Sequence, residues 1–180
     1  QVVGSPLEAR VRSLIGVAPQ ALALYDELTG RENLEFFGTL YGLAGAALRD
    51  RVTSVLKQVE LLDRAGDRAG TYSGGMKRRL NLGAALVHEP AMLMLDEPTA
   101  GVDPQSRAAI IDLVRALKGA GHTIVYSTHY MEEAEKLCDR IAIVDHGRVL
   151  AEGTLAELLA AHGGQSVVTL VRTGEAAVSY

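Results

Sequence analysis

Apolar residues in the first half of the chain recur mostly at intervals of three and four, the spacing of a single helix face. A short apolar run over residues 11–17 predicts a strand, and Thr29 with Glu32 has the spacing of a capping box that begins a helix. A later helix begins after Ser73 and ends near Val87. The apolar faces of the two helices before Ser73 are formed by Leu34, Phe37, Leu40 and Tyr41 and by Val52, Val55, Leu56 and Val59.

After Pro90 the pattern changes to short apolar runs that alternate with helices. Residues 91–95 and 123–126 are continuous apolar runs, as expected of strands that are buried on both faces. Between them, Asp103 followed by Pro104 predicts the start of a helix, with an N-cap residue and a proline in the first helical position.

The last part of the chain contains a further helix and a hairpin. The helix is predicted over 132–138, and the runs 141–144 and 149–151 flank a polar, glycine-containing turn. Thr154 begins a final helix, again with capping-box spacing. The tail from Gln165 alternates weakly and predicts a strand that is cut short.

This order of elements predicts an α/β fold with a mostly parallel sheet and covering helices, because strands alternate with helices in the second half. We predict that residues 1–23 and 88–164 form the α/β core and that residues 24–87 form an inserted helical subdomain. Residues 165–180 are expected to be a tail that adds a further strand.

Composition narrows the class of protein. With 180 residues, 48% of them hydrophobic and 22% charged, the chain is predicted to be a soluble globular protein of one domain. The net charge of −4 argues against a general nucleic-acid-binding surface. Cys138 is the single cysteine, which excludes an internal disulfide. No apolar run approaches the roughly 18 residues of a membrane span, so a membrane role would require a partner.

Two carboxylates, Asp96 and Glu97, stand where the strand predicted over 91–95 ends. Open α/β sheets bind their ligands at this edge. Asp96 can hold Mg²⁺ there, and Glu97 can orient or deprotonate an attacking water. The alternative is an acidic turn without a ligand, and these two residues alone leave both interpretations open.

Ser73, Gly74 and Gly75 lead directly into a predicted helix. Glycines permit close approach to the backbone, and the free amides and dipole of a helix N-terminus favour an anion. The alternative is an ordinary capped helix, but a cap has no use for two successive glycines. The basic residues that follow are interpreted as a solvated helix face rather than a phosphate clamp: Lys77, Arg78 and Arg79.

His129 and Gln20 follow predicted strands and are therefore expected at the same sheet edge as Asp96 and Glu97. An imidazole there can bond a terminal phosphate, and an amide can contact a metal ion or water. The other histidines lie in predicted loops or turns and receive no role: His88, His122, His146 and His162.

Taken in order, these motifs closely resemble the ATP-binding subunit of ABC transporters over about residues 11–160. Gln20 resembles the Q-loop and the run Ser73–Met76 the signature motif. Met92–Glu97 resembles the Walker B strand, Ala100–Asp103 the D-loop, and His129 the switch histidine. Five motifs in the family's order, in register with the predicted helices and strands, are the strongest signal in the sequence.

The resemblance implies a P-loop NTPase-like (RecA-like) fold that binds and hydrolyses MgATP in a head-to-tail dimer. It implies that Asp96 and Gln20 contact Mg²⁺, and that Glu97 and His129 are catalytic. It also implies nucleotide binding by the signature residues and by the D-loop and Q-loop, namely Ser73, Gly74, Gly75, Met76, Asp103 and Gln20.

The resemblance further implies a membrane partner. A permease subunit is expected to dock on the helical subdomain near Gln20 to Tyr41, which would hold the protein on the cytoplasmic face of the cell membrane. The signature begins with Tyr72 and ends with Met76, where the commoner form has leucine and glutamine. This departure, like the run from Met131 to Arg140, is similar to subunits that work with separate export permeases, so we expect export.

The family's phosphate-cradling loop, G-x-x-x-x-G-K-[ST], is absent from these 180 residues. In the family it precedes the Q-loop strand, so we expect a chain truncated at its N-terminus, without the Walker A strand. Such a chain should bind ATP poorly and be inactive alone, and its unpaired sheet edge should lead to self-association, strand exchange or a loosened core. Two alternatives stay open: a soluble ABC-type ATPase of repair or translation, and a non-catalytic protein of this fold.

Overall fold

The computed structural model describes residues 9–162, so the strand predicted from Gln165 lies outside the described residues. The first helices and strands are α1 (Ala9–Arg12), β1 (Ile15–Ala18), α2 (Gly30–Leu40), α3 (Gly45–Gln58) and α4 (Gly74–Leu86). They are followed by β2 (Met92–Asp96), α5 (Pro104–Gly119), β3 (Thr123–Ser127) and α6 (Met131–Leu137). The last elements are β4 (Ile141–Asp145), β5 (Arg148–Gly153) and α7 (Leu155–His162).

Strands β1, β2 and β3 form a parallel sheet in that order, which confirms the α/β prediction. In register, Ala18 lies beside Leu95 and Leu95 beside Tyr126. All three strands therefore end at the same edge. The strand predicted over 11–17 was wrong at its start, because Val11 belongs to α1 and the strand begins at Ile15.

Helix α4 covers one face of this sheet and approaches it closely at Gly16. A Cβ atom at Gly16 would lie 2.2 Å from the carbonyl oxygen of Ala85 on α4. Only glycine permits this approach of helix and strand backbones. Leu93 and Leu95 lie on this same face of the sheet and are 0% and 2% exposed.

The opposite face of the sheet carries an exposed apolar row. Val17, Met94 and Val125 are cross-strand neighbours and are 54%, 41% and 50% exposed. The prediction that β2 and β3 are buried on both faces is therefore wrong for residues 9–162. A continuous apolar run shows that both faces favour burial, but whether a second layer covers them depends on other segments.

Helices α2, α3 and α4 pack together around a buried apolar cluster. Both halves of the predicted capping box at α2 form, since the Glu32 amide donates to Thr29 Oγ1 and the Thr29 amide to Glu32 Oε2. On the predicted face of α2, however, Leu34 is buried and Leu40 is 65% exposed. The predicted face of α3 is confirmed by four residues that are no more than 1% exposed: Val52, Val55, Leu56 and Val59.

The contacts within the chain form two compact units, and the boundary between them in the sequence falls between Leu137 and Cys138. The first contains the sheet and helices α1–α6. The second contains the antiparallel hairpin β4–β5 and α7, whose predicted capping box between Thr154 and Glu157 is present. The predicted boundaries at residues 24, 88 and 165 stay a prediction.

Candidate functional site

Asp96, Glu97 and Ser127 meet at the carboxyl edge of the sheet, where β2 and β3 end side by side. The Ser127 hydroxyl donates to Asp96 Oδ1 at 2.6 Å and accepts the Glu97 amide at 3.1 Å. The Glu97 amide also points to the Ser127 carbonyl oxygen, 3.2 Å away. One serine therefore orients the Asp96 carboxylate and holds the Glu97 backbone.

Glu97 has an uncommon backbone conformation, with φ at +44°. Such left-handed geometry in a residue other than glycine is often found at functional sites. It turns the Glu97 side chain towards the loop after β3, where His129 Nδ1 lies 3.0 Å from Glu97 Oε1. The structure thus brings together Asp96, Glu97 and His129, which lie more than 30 positions apart at their extremes.

Gln20 follows β1 at this same edge, and its side chain is exposed. Its carbonyl oxygen accepts a hydrogen bond of 2.7 Å from Arg78 Nη1 on α4, and Arg78 Nη2 reaches the Ala100 carbonyl at 3.2 Å. Burial lowers the pKa of Arg78, while the charges of Asp96 and Glu97 oppose this shift. Arg78 therefore ties the segment after β1 to the segment after β2.

The interpretation of the basic residues after the signature as a solvated face is wrong. Arg78 is 8% exposed, Lys77 pairs with Asp26 at 2.7 Å, and Arg79 donates to the Val59 carbonyl at 3.0 Å. Each cation binds a group at least 19 positions away in the sequence, and local charge patterning does not reveal such partners.

The predicted signature forms the N-terminus of α4. Ser73 caps the helix by accepting the Met76 amide at 3.2 Å, and its side chain is exposed. A Cβ at Gly74 would meet open space, whereas a Cβ at Gly75 would lie 2.0 Å from Ser106 Oγ. The two glycines thus differ: the first keeps the helix end open, and the second permits contact between α4 and α5.

Asp103 is the N-cap of α5, as predicted from its place before a proline. Its Oδ1 accepts the Ser106 amide at 2.9 Å and its Oδ2 the Ser106 hydroxyl at 2.6 Å. These hydrogen bonds lower the pKa of Asp103. Because Ser106 also faces Gly75, the predicted D-loop and signature meet through one side chain.

The donor set at the sheet edge suits Mg²⁺. No group of three or more His, Cys, Asp and Glu side chains that could hold a metal occurs among residues 9–162. Mg²⁺ is commonly bound by one or two carboxylates, with phosphate oxygens and waters completing the shell. Asp96, with one oxygen bonded to Ser127 and its side chain exposed, fits this mode.

Sequence reasoning missed Ser127, Arg78 and the buried Glu133. Ser127 could have been found by aligning the strand ends, since it pairs with Asp96 in the sheet. Glu133 shares one face of α6 with the buried Ala134 and Leu137, and an acid on an apolar face is a signal of a buried partner.

The class of protein follows from the parallel sheet, the paired carboxylates and the capped glycine-rich helix. The chain belongs to the ABC transporter family, whose model matches residues 3–100. Among individual proteins, it is 48% identical over 166 residues to the linearmycin resistance ATP-binding protein LnrL of Bacillus subtilis (strain 168). That match covers 92% of this chain and 53% of the relative.

Two other relatives are similar. The daunorubicin resistance ATP-binding protein DrrA3 of Streptomyces coeruleorubidus is 48% identical, over 90% of this chain and 51% of the relative. The Nod factor export ATP-binding protein I of Rhizobium sp. (strain N33) is 44% identical, over 94% of this chain and 57% of the relative. The chain therefore spans about half the length of these relatives.

Solved structures agree with this assignment. An ATP-binding subunit of an ABC transporter superposes with a TM-score of 0.74 at 32% identity, over 86% of this chain and 65% of that one. The ATP-binding cassette MJ0796, in a dimeric post-hydrolysis state bound to ADP and Pi, gives 0.72 at 29% identity, over 82% and 65%. The P-loop NTPase fold class predicted from the resemblance is confirmed.

Proposed function

We propose that this chain is part of an ABC transporter subunit that hydrolyses MgATP to drive export through a separate membrane permease. The observation that carries the proposal is the contact of 3.0 Å between Glu97 and His129, directly beside Asp96. A carboxylate and an imidazole at the carboxyl edge of a parallel sheet are suited to activate water beside a bound phosphate.

In the proposed reaction, Glu97 accepts the proton of the attacking water through its carboxylate. His129 faces Glu97 with Nδ1, which leaves Nε2 free to hydrogen-bond the terminal phosphate. When bound at Asp96, Mg²⁺ would supply charge neutralisation on the phosphate oxygens. Ser127 holds Asp96 and the Glu97 backbone in place throughout, because its hydroxyl bonds both.

The nucleotide-binding roles of the signature residues require a second subunit. Ser73 and Gly74 are exposed at the N-terminus of α4, where free amides and the helix dipole favour an anion. We propose a head-to-tail dimer in which Ser73, Gly74, Gly75 and Met76 face the terminal phosphate held by the partner. Asp103 and Gln20 would link this interface to the catalytic carboxylates through Ser106 and Arg78.

We propose that the phosphate-cradling loop belongs to a part of the full-length subunit outside these 180 residues, none of which forms that motif. We expect the full-length subunit to hydrolyse MgATP and the 180-residue chain to be inactive and to bind MgATP at least 100-fold more weakly. Phosphate release and calorimetry on both proteins test this. Micromolar MgATP affinity of the short chain would contradict the proposal.

The permease is proposed to dock on an aromatic patch formed by Tyr25, Phe36, Phe37 and Tyr41. The Tyr25 and Phe36 rings are 4.9 Å apart, and the Phe36 and Phe37 rings 5.4 Å apart. Tyr25, Phe36 and Tyr41 are 49%, 38% and 40% exposed. Exposed clustered aromatics are typical of protein interfaces, and this patch lies on α2, on its C-cap Tyr41 and on the segment between Gln20 and α2.

Phe36→Asp is expected to abolish co-purification of the full-length subunit with its permease and to leave the ATPase rate of the isolated subunit within about twofold. The reason is that a carboxylate in the centre of the patch would have to be desolvated on docking. Leu159→Asp is the matched control, since Leu159 on α7 is 60% exposed and lies outside the patch. Normal permease binding by Phe36→Asp would rule out docking at this patch.

Export is the proposed direction of transport. The relatives are named for resistance to linearmycin or daunorubicin and for Nod factor export.

Among residues 9–162, no helix is both long and apolar enough to cross a bilayer. We therefore propose that the subunit is held at the cytoplasmic face of the membrane by the permease, which would contact the exported compound.

A further inference from the structure

Glu133 on α6 is a buried carboxylate that contacts four different side chains. Its side chain is 1% exposed. Oε1 accepts hydrogen bonds of 2.7 Å from Thr99 and from Arg107, and Oε2 accepts bonds of 2.8 Å from Tyr126 and Thr128. Each oxygen thus has two donors, which is the condition for keeping a carboxylate charged inside a protein.

Two of these donors come from the segments that carry the proposed catalytic residues. Thr99 lies two positions after Glu97, and Thr128 lies directly before His129. Tyr126 is on β3 and Arg107 is on α5. Glu133 therefore joins the segment after β2 to the segment after β3 through Thr99 and Thr128.

A second set of contacts reaches His129 through Tyr130, the residue that follows it in the sequence. The Arg107 guanidinium lies 4.0 Å from the centre of the Tyr130 ring, and the His129 and Tyr130 rings are 4.1 Å apart. The Tyr130 amide donates to Thr128 Oγ1 at 3.0 Å. His129 thus stands in the sequence between two residues whose side chains are fixed directly or indirectly by Glu133, and its ring packs on the second of them, Tyr130.

The charge state of Glu133 is consistent with this arrangement. Burial raises the pKa of its carboxyl, but the hydrogen bonds from Thr99, Thr128, Tyr126 and Arg107 outweigh burial and lower the pKa overall. Burial and the hydrogen bond to Glu133 raise the pKa of Tyr126, so that its hydroxyl stays a donor. The cluster is therefore an anion surrounded by donors across the neutral pH range.

We propose that Glu133 is a positioning residue for ATP hydrolysis, which holds His129 at the Glu97 carboxylate through Thr128, Arg107 and Tyr130. This inference rests on the proposed function, because it assigns Glu133 a role in the same site. Glu133 touches neither the water nor the phosphate. Its effect on the rate is carried by the distance between His129 and Glu97.

The test is a double-mutant cycle in the full-length subunit with Glu133→Gln, His129→Ala and both together. Glutamine keeps the shape of the side chain but places an amide donor against the hydroxyl donors. We expect Glu133→Gln to lower kcat about 10-fold or more with KM for MgATP within about threefold, since small misplacements of catalytic groups cost that much. In the His129→Ala background, Glu133→Gln is expected to change kcat by less than about twofold.

One further measurement and a control variant separate positioning from general stability. Hydrogen exchange of the nucleotide-free subunit should become faster in residues 127–131 of Glu133→Gln and stay unchanged in α3. Glu135→Gln, at an exposed position of the same helix, is the control and should resemble the unmodified subunit in every assay. If Glu133→Gln does not fold, Tyr126→Phe removes one of the four hydrogen bonds to Glu133 and is used in its place.

The outcomes distinguish a failure of the proposed function from a failure of the positioning role alone. If His129→Ala retains the full kcat, the proposed function fails and the positioning role fails with it. If His129→Ala has a lower, still measurable kcat but Glu133→Gln retains full activity, the positioning role alone is rejected. An equal loss from Glu133→Gln in both backgrounds would also reject it, because the effect would then not pass through His129.

Discussion

Replacing Glu97 with glutamine is expected to lower kcat of the full-length subunit by about 100-fold or more, the usual contribution of a general base. The amide keeps the size of the side chain but cannot accept the proton of the attacking water. The substitution also removes the negative charge that faces His129 Nδ1 at 3.0 Å. KM for MgATP should change by less than about threefold, because Asp96 and the phosphate contacts are untouched.

Glu89→Gln is the matched control for this substitution. Glu89 has φ at +55°, so it shares the left-handed backbone of Glu97, but its carboxylate pairs with Arg51 at 3.4 Å, away from the sheet edge. We expect it to retain kcat within about twofold. Steady-state phosphate release and a nucleotide-binding assay measure both variants. A Glu97→Gln subunit with full kcat would remove Glu97 from the mechanism.

Gly75→Ala is expected to destabilise the full-length subunit by about 1–3 kcal/mol, the usual range for overpacking, and to abolish its ATPase activity. The new methyl group would lie 2.0 Å from Ser106 Oγ and 2.4 Å from Ser106 Cβ. Rotation of the Ser106 hydroxyl would break its hydrogen bond to Asp103 Oδ2 and would leave Ser106 Cβ 2.4 Å from the new methyl group. The N-termini of α4 and α5 would therefore have to move apart.

Gly74→Ala is the neighbouring control, since a Cβ there meets nothing within 4 Å. We expect its urea midpoint to be unchanged or higher, as alanine favours helix by about 1 kcal/mol over glycine. Its activity should still fall, because the methyl group would cover the amides proposed to face the phosphate. Ser106→Gly should reduce the stability loss caused by Gly75→Ala. An unchanged loss in that background would mean that the clash is not with Ser106.

The helix starts were predictable because each depends on a few adjacent residues. Thr29, Ser73 and Asp103 all accept the amide three positions later, and the turn between β4 and β5 contains His146 and Gly147 with positive φ. The order of the motifs similarly placed Asp96, Glu97 and His129 after strands. Parallel strands end at one edge, so the sequence predicted that these three side chains lie close together.

Burial was predicted less well, because it depends on what packs against an element. On α5 the spacing of Ile111, Val114 and Leu117 predicts the apolar side of the helix. In the structure Val114 and Leu117 are buried, but Ile110 is 0% exposed and Ile111 is only half-buried. The face of α2 that was expected to be apolar leaves Leu40 exposed. Periodicity gives the spacing of a face, whereas the position of neighbouring elements decides which side is covered.

By itself, the sequence determined the elements, their caps and the residues able to act on a phosphate, because these follow from local spacing and from side-chain chemistry. Only the tertiary structure decided that Arg78 and Glu133 are buried and bonded. The partners of Arg78 lie 22 and 58 positions away, and those of Glu133 up to 34. A charged side chain looks solvated in the sequence until folding brings distant donors or carbonyls to it, and that proximity is a property of the fold alone.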